Sequence, residues 1–149
     1  VTKKTKSNSR AKRGQPVLGV DVDTLLDAAR AVRKNAYAPY SNYRVGAALL
    51  CGSGRVYSGC NVENASYGLC LCAERSAVAQ AVANGEQELL AVAISGQGPE
   101  PVPPCGMCRQ TLAELMKPDA PVICENERGK RSTFTVSELL PHAFSKRFL

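Results

Sequence analysis

Apolar positions along this chain change period several times, and each change marks an element. Leu25, Leu26, Ala29 and Val32 repeat at helical spacing behind Asp21 and Asp23, either of which can cap a helix running to about residue 35. The Ala38-Pro39-Tyr40-Ser41 run ends it. Residues 45–50 and 55–60 are apolar-rich runs flanking Gly52-Ser53-Gly54, the pattern of a hairpin with a glycine-bearing turn. After a loop over 61–71, residues 72–83 are rich in alanine with no internal glycine or proline, which predicts a helix stopped at Asn84-Gly85. Residues 89–95 form a short continuous apolar run, as expected of a strand buried on both faces. The Gly- and Pro-dense stretch 96–104 reads as a loop. A second helix opens within 105–108 and runs to Met116. Residues 121–124 and 132–136 supply two more strands around the polar turn 127–130, and a short helix starts at Ser137. Strands interleaved with helices in so short a chain argue for a central sheet with helices on its faces.

Length and charge then narrow the setting. The 149 residues bury enough surface for one domain and are too few for two comfortable ones. The net charge of +6 at first suggests a nucleic-acid binder. Its distribution removes that reading. Lys3, Lys4, Lys6, Arg10, Lys12 and Arg13 lie in the first 13 residues with no acid, leaving 13 of the 19 basic residues against all 13 acidic ones. The remainder is neutral and offers phosphates no excess charge. Residues 1–16 therefore read as a basic, disordered N-terminal extension, and residues 17–149 as the single folded domain. Seven cysteines, with no secretory signal and no stretch near membrane-spanning length, point to a reduced, cytoplasmic setting.

The cysteines also carry the chemistry. Cys105-Gly106-Met107-Cys108, well downstream of Cys72-Ala73-Glu74, offers three thiolates to a single metal with a carboxylate beside them. Three protein ligands are what a catalytic Zn2+ needs, because the fourth position must stay open for water. Glu74 lies two residues past a ligand, where it can shuttle a proton without joining the coordination sphere. Both cysteine elements fall at expected helix starts, whose exposed N–H groups favour the thiolate. Arg75 and Arg109, each next to a ligand, can offset the excess negative charge of three thiolates by bonding to sulfur. A structural zinc is the alternative, with Cys70 as fourth ligand, and a lone Cys-x-x-Cys is also common in redox proteins. Glu74 discriminates, since a structural site has no use for a carboxylate there. Cys51, Cys60 and Cys124 read as small buried apolar residues, and His142, the only histidine, as a surface residue.

Five motifs in order extend this picture. They are residues 38–48 (APYSNYRVGAA), 61–67 (NVENASY), 72–75 (CAER), 104–110 (PCGMCRQ) and 138–144 (ELLPHAF). Together they resemble the successive motifs of the cytidine deaminase family over residues 21–145. The resemblance implies a three-layer α/β/α fold with a central mixed five-stranded sheet and one catalytic Zn2+ on Cys72, Cys105 and Cys108, with Glu74 as proton shuttle. It further implies that Asn61 and Glu63 bind the ribose, that Ala73, Tyr43 and Phe144 contact the substrate, and that Ala65, Tyr67 and Phe144 close a neighbouring pocket in a homotetramer with shared active sites. Asn61 and Glu63 are two apart on an extended segment and point the same way, which suits gripping one sugar hydroxyl. Tyr43 stands where the family often carries phenylalanine. The implied reaction is hydrolytic deamination of cytidine and deoxycytidine to uridine and deoxyuridine with release of ammonia, in pyrimidine salvage.

Rival readings leave residues unexplained. A nucleic-acid base editor shares the chemistry, but Glu63 would set a negative charge against the 3′ phosphate of a chain, and the neutral body lacks an aromatic and basic strip. A zinc-binding interaction module leaves Glu74 and the Asn61/Glu63 pair without purpose. A deaminase of nucleotide monophosphates would need a phosphate cradle, and none is evident in the sequence.

Overall fold

Asp21 is the cap of the first helix: its side chain accepts from Asp23 N at 3.1 Å, opening α1 (Val22–Arg33). The computed structural model describes residues 16–17 and 20–149. The expected N-terminal extension lies outside them except for Pro16, which begins a short antiparallel pairing of β1 (Pro16–Val17) with β2 (Val20–Asp21). Five further strands make the sheet: β3 (Val45–Cys51), β4 (Val56–Cys60), β5 (Leu89–Gly96), β6 (Pro121–Glu125) and β7 (Arg131–Thr135). Between them run α2 (Ala73–Ala83) and α3 (Gly106–Leu115), and α4 (Val136–Leu139) follows β7. Each matches its expected position within one or two residues. The last helix starts one residue early, because Thr135 and Glu138 form a capping box across its first turn.

The spatial strand order is β4-β3-β5-β6-β7. Only β5 and β6 are parallel neighbours; the other pairs are antiparallel, so the sheet is mixed, as expected. Alternation along the strands separates two cores. Ala47, Leu49, Val92, Ile94, Val122 and Cys124 pack with Ala77, Val78 and Ala81 of α2 and Leu112 of α3. Ala48, Leu50, Ala91, Ala93 and Ile123 pack on the other face with Leu25, Leu26 and Ala29 of α1. The result is the three-layer α/β/α arrangement.

Two glycines bring helices unusually close. A Cβ at Gly46 would lie 2.9 Å from Arg33 Cβ on α1, and one at Gly59 would lie 2.8 Å from Ser76 Cβ on α2. The directions of the strands then place the functional end. β4 runs opposite to β3, β3 opposite to β5, and β5 alongside β6, so β4, β5 and β6 all point the same way. The segments leaving β4 and β5 lead into the N-termini of α2 and α3, which therefore begin beyond the same edge of the sheet.

Candidate active site

Those two helix starts carry the thiols. Cys72 is the N-cap residue of α2, Cys105 that of α3, and Cys108 lies in the first turn of α3. Their sulfurs lie within 4.8 Å of one another, and Cys72 and Cys105 are 3.9 Å apart. A tetrahedral zinc with bonds of ~2.3 Å would want sulfurs about 3.8 Å apart, so the thiols are spaced to hold one with little movement. The cluster grades from the exposed Cys105 through the half-buried Cys72 to the fully buried Cys108. Bonding from the Cys108 thiol pulls Cys72 down to about 6, helped against burial by Cys105 and by the charge of Arg75. A thiolate is thus favoured where a metal would need one.

Cys70 does not join the cluster. Its sulfur accepts from Asn64 N at 3.3 Å and faces Asn64 O at 3.6 Å, so among the described residues the group of possible ligands stops at three cysteines. The structural-zinc alternative loses its fourth ligand. Cys51 and Cys124 are fully buried, and burial pushes the Cys124 thiol up to about 12; Cys60 is half-buried. His142 is exposed.

Glu74 stands in the first turn of α2 with 5% of its surface exposed. Burial raises its carboxyl above the ordinary range; its own backbone N–H pulls the other way, and the Cys72 charge adds to the rise. A carboxyl that holds a proton more readily than usual, next to a metal-ready thiol cluster, is suited to proton transfer. Ala73 beside it is fully buried.

The two arginines do different work. Arg75 Nη2 donates to Cys70 O at 2.7 Å, while its buried Nε has no hydrogen-bond partner among the described residues and its charge favours the Cys72 thiolate. Arg109 turns to carbonyls instead of sulfur, donating to Pro104 O at 2.7 Å and Leu139 O at 3.0 Å. It fastens the loop before Cys105 to the end of α4.

Asn61 and Glu63 both face the segment between α1 and β3. Asn61 Oδ1 accepts from Val45 N at 2.8 Å and its Nδ2 donates to Tyr43 O at 2.9 Å. Glu63 Oε2 accepts from Tyr40 N at 2.8 Å and Ser41 N at 3.2 Å, and Oε1 accepts from the Ser41 hydroxyl. The Ser41 hydroxyl is the main cause holding the Glu63 carboxyl below its ordinary range, with the two backbone donors prevailing alongside it over desolvation. Tyr43 rests on the end of β5 and the loop after it, where a Cβ on Gly96 would meet its hydroxyl at 3.1 Å and one on Gly98 would meet it at 3.6 Å. Tyr67 is 75% exposed and meets Tyr40 edge-on at 6.2 Å; Ala65 is exposed beside it. Phe144 is 59% exposed, stacks on Phe148 at 5.8 Å, and its carbonyl accepts from Gln110 Nε2 at 2.8 Å.

Sequence reasoning passed over Ser41 and Asn126. Asn126 is 2% exposed; its Oδ1 accepts from Arg128 N and Lys130 N, and its Nδ2 donates to Pro99 O. It ties the β6–β7 turn to the loop that delivers Cys105. An asparagine opening a polar turn is a readable signal for the turn, but its reach to Pro99 is not local.

A three-layer sheet domain with three thiols and a buried carboxyl at converging helix starts is of the zinc-dependent hydrolase class. The zinc-binding region of cytidine and deoxycytidylate deaminases matches residues 21–124. A cytidine deaminase of Halalkalibacterium halodurans is 48% identical over 126 residues, spanning 85% of this chain and 96% of the relative. One from Sporosarcina psychrophila is 44% identical over 130 residues, spanning 87% and 96%. The crystal structure of cytidine deaminase from Burkholderia pseudomallei superposes with a TM-score of 0.81 at 48% identity, covering 84% of this chain and all of that one. The chain belongs to the cytidine deaminase family.

Proposed function

We propose that this protein removes the exocyclic amine of cytidine and deoxycytidine by hydrolysis, giving uridine or deoxyuridine and ammonia, in pyrimidine salvage. The observation that carries the reading is the buried Glu74 carboxyl at the same helix start as Cys72, with Cys105 and Cys108 closing the thiol group. Zinc held by Cys72, Cys105 and Cys108 would supply the Lewis acidity that makes water nucleophilic at neutral pH. Glu74 takes a proton from the attacking water and delivers it to ring nitrogen 3, which makes carbon 4 electrophilic. After the oxygen has added to carbon 4, Glu74 moves the second proton to the departing amine. The proton on nitrogen 3 stays in the product, and one carboxyl serves both transfers.

Arg75 balances thiolate charge, and Arg109 positions the α3 start through Pro104. Asn61 and Glu63 receive the sugar, with Glu63 reading its 3′-hydroxyl, while Ala73, Tyr43 and Phe144 contribute to the pocket. Glu63 also favours free nucleosides, because a 3′ phosphate would bring a second anion to its carboxylate. The working unit is a homotetramer in which Ala65, Tyr67 and Phe144 complete a neighbouring site. Tyr37, Tyr40, Tyr67, Leu69, Met107 and Phe144 are each at least half exposed and are the apolar side chains such an assembly would cover. No helix among the described residues is long and apolar enough to cross a membrane. Seven unpaired cysteines suit a reducing cytoplasmic setting.

The direct test follows the ultraviolet spectrum of cytidine with purified protein. Loss of the cytidine band that a chelator stops and zinc restores is expected. An unchanged spectrum with zinc-loaded protein would overturn the reading.

A further inference from the structure

Ser41 is exposed and contributes nothing to the core, yet its hydroxyl has both hydrogen-bonding roles committed. It accepts from Tyr43 N at 3.0 Å, and its single hydrogen goes to Glu63 Oε1. Glu63 is itself anchored, its backbone N donating to Tyr37 O at 2.8 Å while Val62 bridges to both Tyr37 and Leu71. An ionised carboxylate offers about four lone-pair positions over its two oxygens. Oε2 has two filled, by Tyr40 N and Ser41 N, and Oε1 has one filled, by the Ser41 hydroxyl. Among the described residues, one acceptor position is left, on Oε1.

We propose that Ser41 is a positioning residue for sugar recognition, fixing the Glu63 carboxylate so that one lone pair on Oε1 remains for a single donating hydroxyl of the substrate. The inference rests on the reading that Glu63 meets the sugar, and it deepens that reading. A group with a hydrogen to give fits the remaining position, whereas a phosphate or carbonyl oxygen there would meet a second acceptor. Without the Ser41 hydroxyl, Oε1 has two open positions and the carboxylate is held only through Oε2, by Tyr40 N and Ser41 N, with nothing fixing Oε1 among the described residues. The same sugar hydroxyl then meets an acceptor that must be ordered on binding.

The experiment compares cytidine with 3′-deoxycytidine, which lacks the hydroxyl, in the zinc-loaded wild type and in Ser41→Ala, Ser41→Thr and Glu63→Gln. The wild type should prefer cytidine by roughly 10-fold or more in kcat/KM, the effect of one hydrogen bond to a charged acceptor. Ser41→Ala should lower that preference by about 3-fold to 10-fold through a higher KM for cytidine, with 3′-deoxycytidine changed less than about twofold. Ser41→Thr keeps the hydroxyl and should restore the preference; Ser41 is exposed, so the added methyl has room. An equal loss for both substrates in Ser41→Ala, or an unchanged preference there while Glu63→Gln abolishes it, would overturn the role of Ser41 alone. Absence of any preference in the wild type, or its survival in Glu63→Gln, would overturn the Glu63 reading and this inference with it.

Discussion

Gly59 is where packing and chemistry meet, and Gly59→Ala tests their connection. The new Cβ would stand 2.8 Å from both Ser76 Cβ and the Ser76 carbonyl carbon, and closer still to Ala77 N. Against the 3.4 Å at which ordinary contact begins, the helix must retreat by at least about 0.6 Å, and because the obstacle is α2 backbone no rotamer change relieves it. Overpacking of this kind costs about 1–3 kcal/mol. Ser76 lies one turn beyond Cys72, whose carbonyl accepts its N–H at 3.0 Å, so the retreat shifts Cys72 and Glu74 relative to Cys105 and Cys108. A misplacement near 1 Å at reacting groups costs on the order of 100-fold in rate. Gly46→Ala is the control: its Cβ strikes α1 near Ala29 and Arg33, on the face opposite α2 that carries none of Cys72, Cys105 and Cys108. Thermal melts, zinc content and cytidine kcat/KM per folded molecule should show both variants destabilised, with zinc retention and kcat/KM falling mainly in Gly59→Ala, by roughly 10-fold to 100-fold. Full zinc and normal kcat/KM in a destabilised Gly59→Ala, or equal losses in Gly46→Ala, would refute the coupling of α2 packing to the site.

Cys72→Ala should lose zinc and activity together, while Cys70→Ala, whose sulfur sits on the Asn64 backbone, should keep both; metal analysis of the two proteins decides. Glu125 is buried and, despite the opposing effect of burial, is held below its usual 4.5 by bonds from Arg30 at 2.7 Å and Arg131 at 2.9 Å. Its contribution is therefore complete above about 4.5 and lost as pH falls through the lower folded value, so Glu125→Gln should lose roughly 3 kcal/mol at pH 7 and less in acid, read by urea titration at several pH values. Unfolding and refolding Glu74→Gln together with Tyr67→Ala should recover activity if subunits complete one another's pockets. Persistent inactivity in verified mixed tetramers would count against shared sites.

Local pattern was enough for most of the fold. Every strand of the main sheet and every α-helix has a periodicity, cap or turn signal within it, because those signals act over a few residues. Strand order is set by which faces bury together and left no local signal, whereas the convergence of Cys72 with Cys105 across 33 positions was legible in the cysteine elements themselves, as three thiols and a carboxylate suited to one metal. At Asn61 and Glu63 the alternation of an extended segment correctly put both side chains on one side. What they meet, the segment over residues 40–45, lies 16 to 23 positions away and left no local trace. Arg109 is the corresponding lesson: adjacency to a ligand suggested a bond to sulfur, but carbonyls at the neighbouring loop and at α4 claim its guanidinium.

The central claim is that Glu74 moves the protons of the reaction while the three cysteines alone hold the metal. Glu74→Gln keeps the shape of the side chain but cannot cycle a proton, so its zinc content and its turnover of saturating cytidine, measured on the same preparation, separate the two roles. Full zinc with turnover reduced by about 100-fold to 10,000-fold is the predicted result. Near-normal turnover would place the proton transfer on another residue, and loss of zinc would make Glu74 a ligand; either would contradict the account.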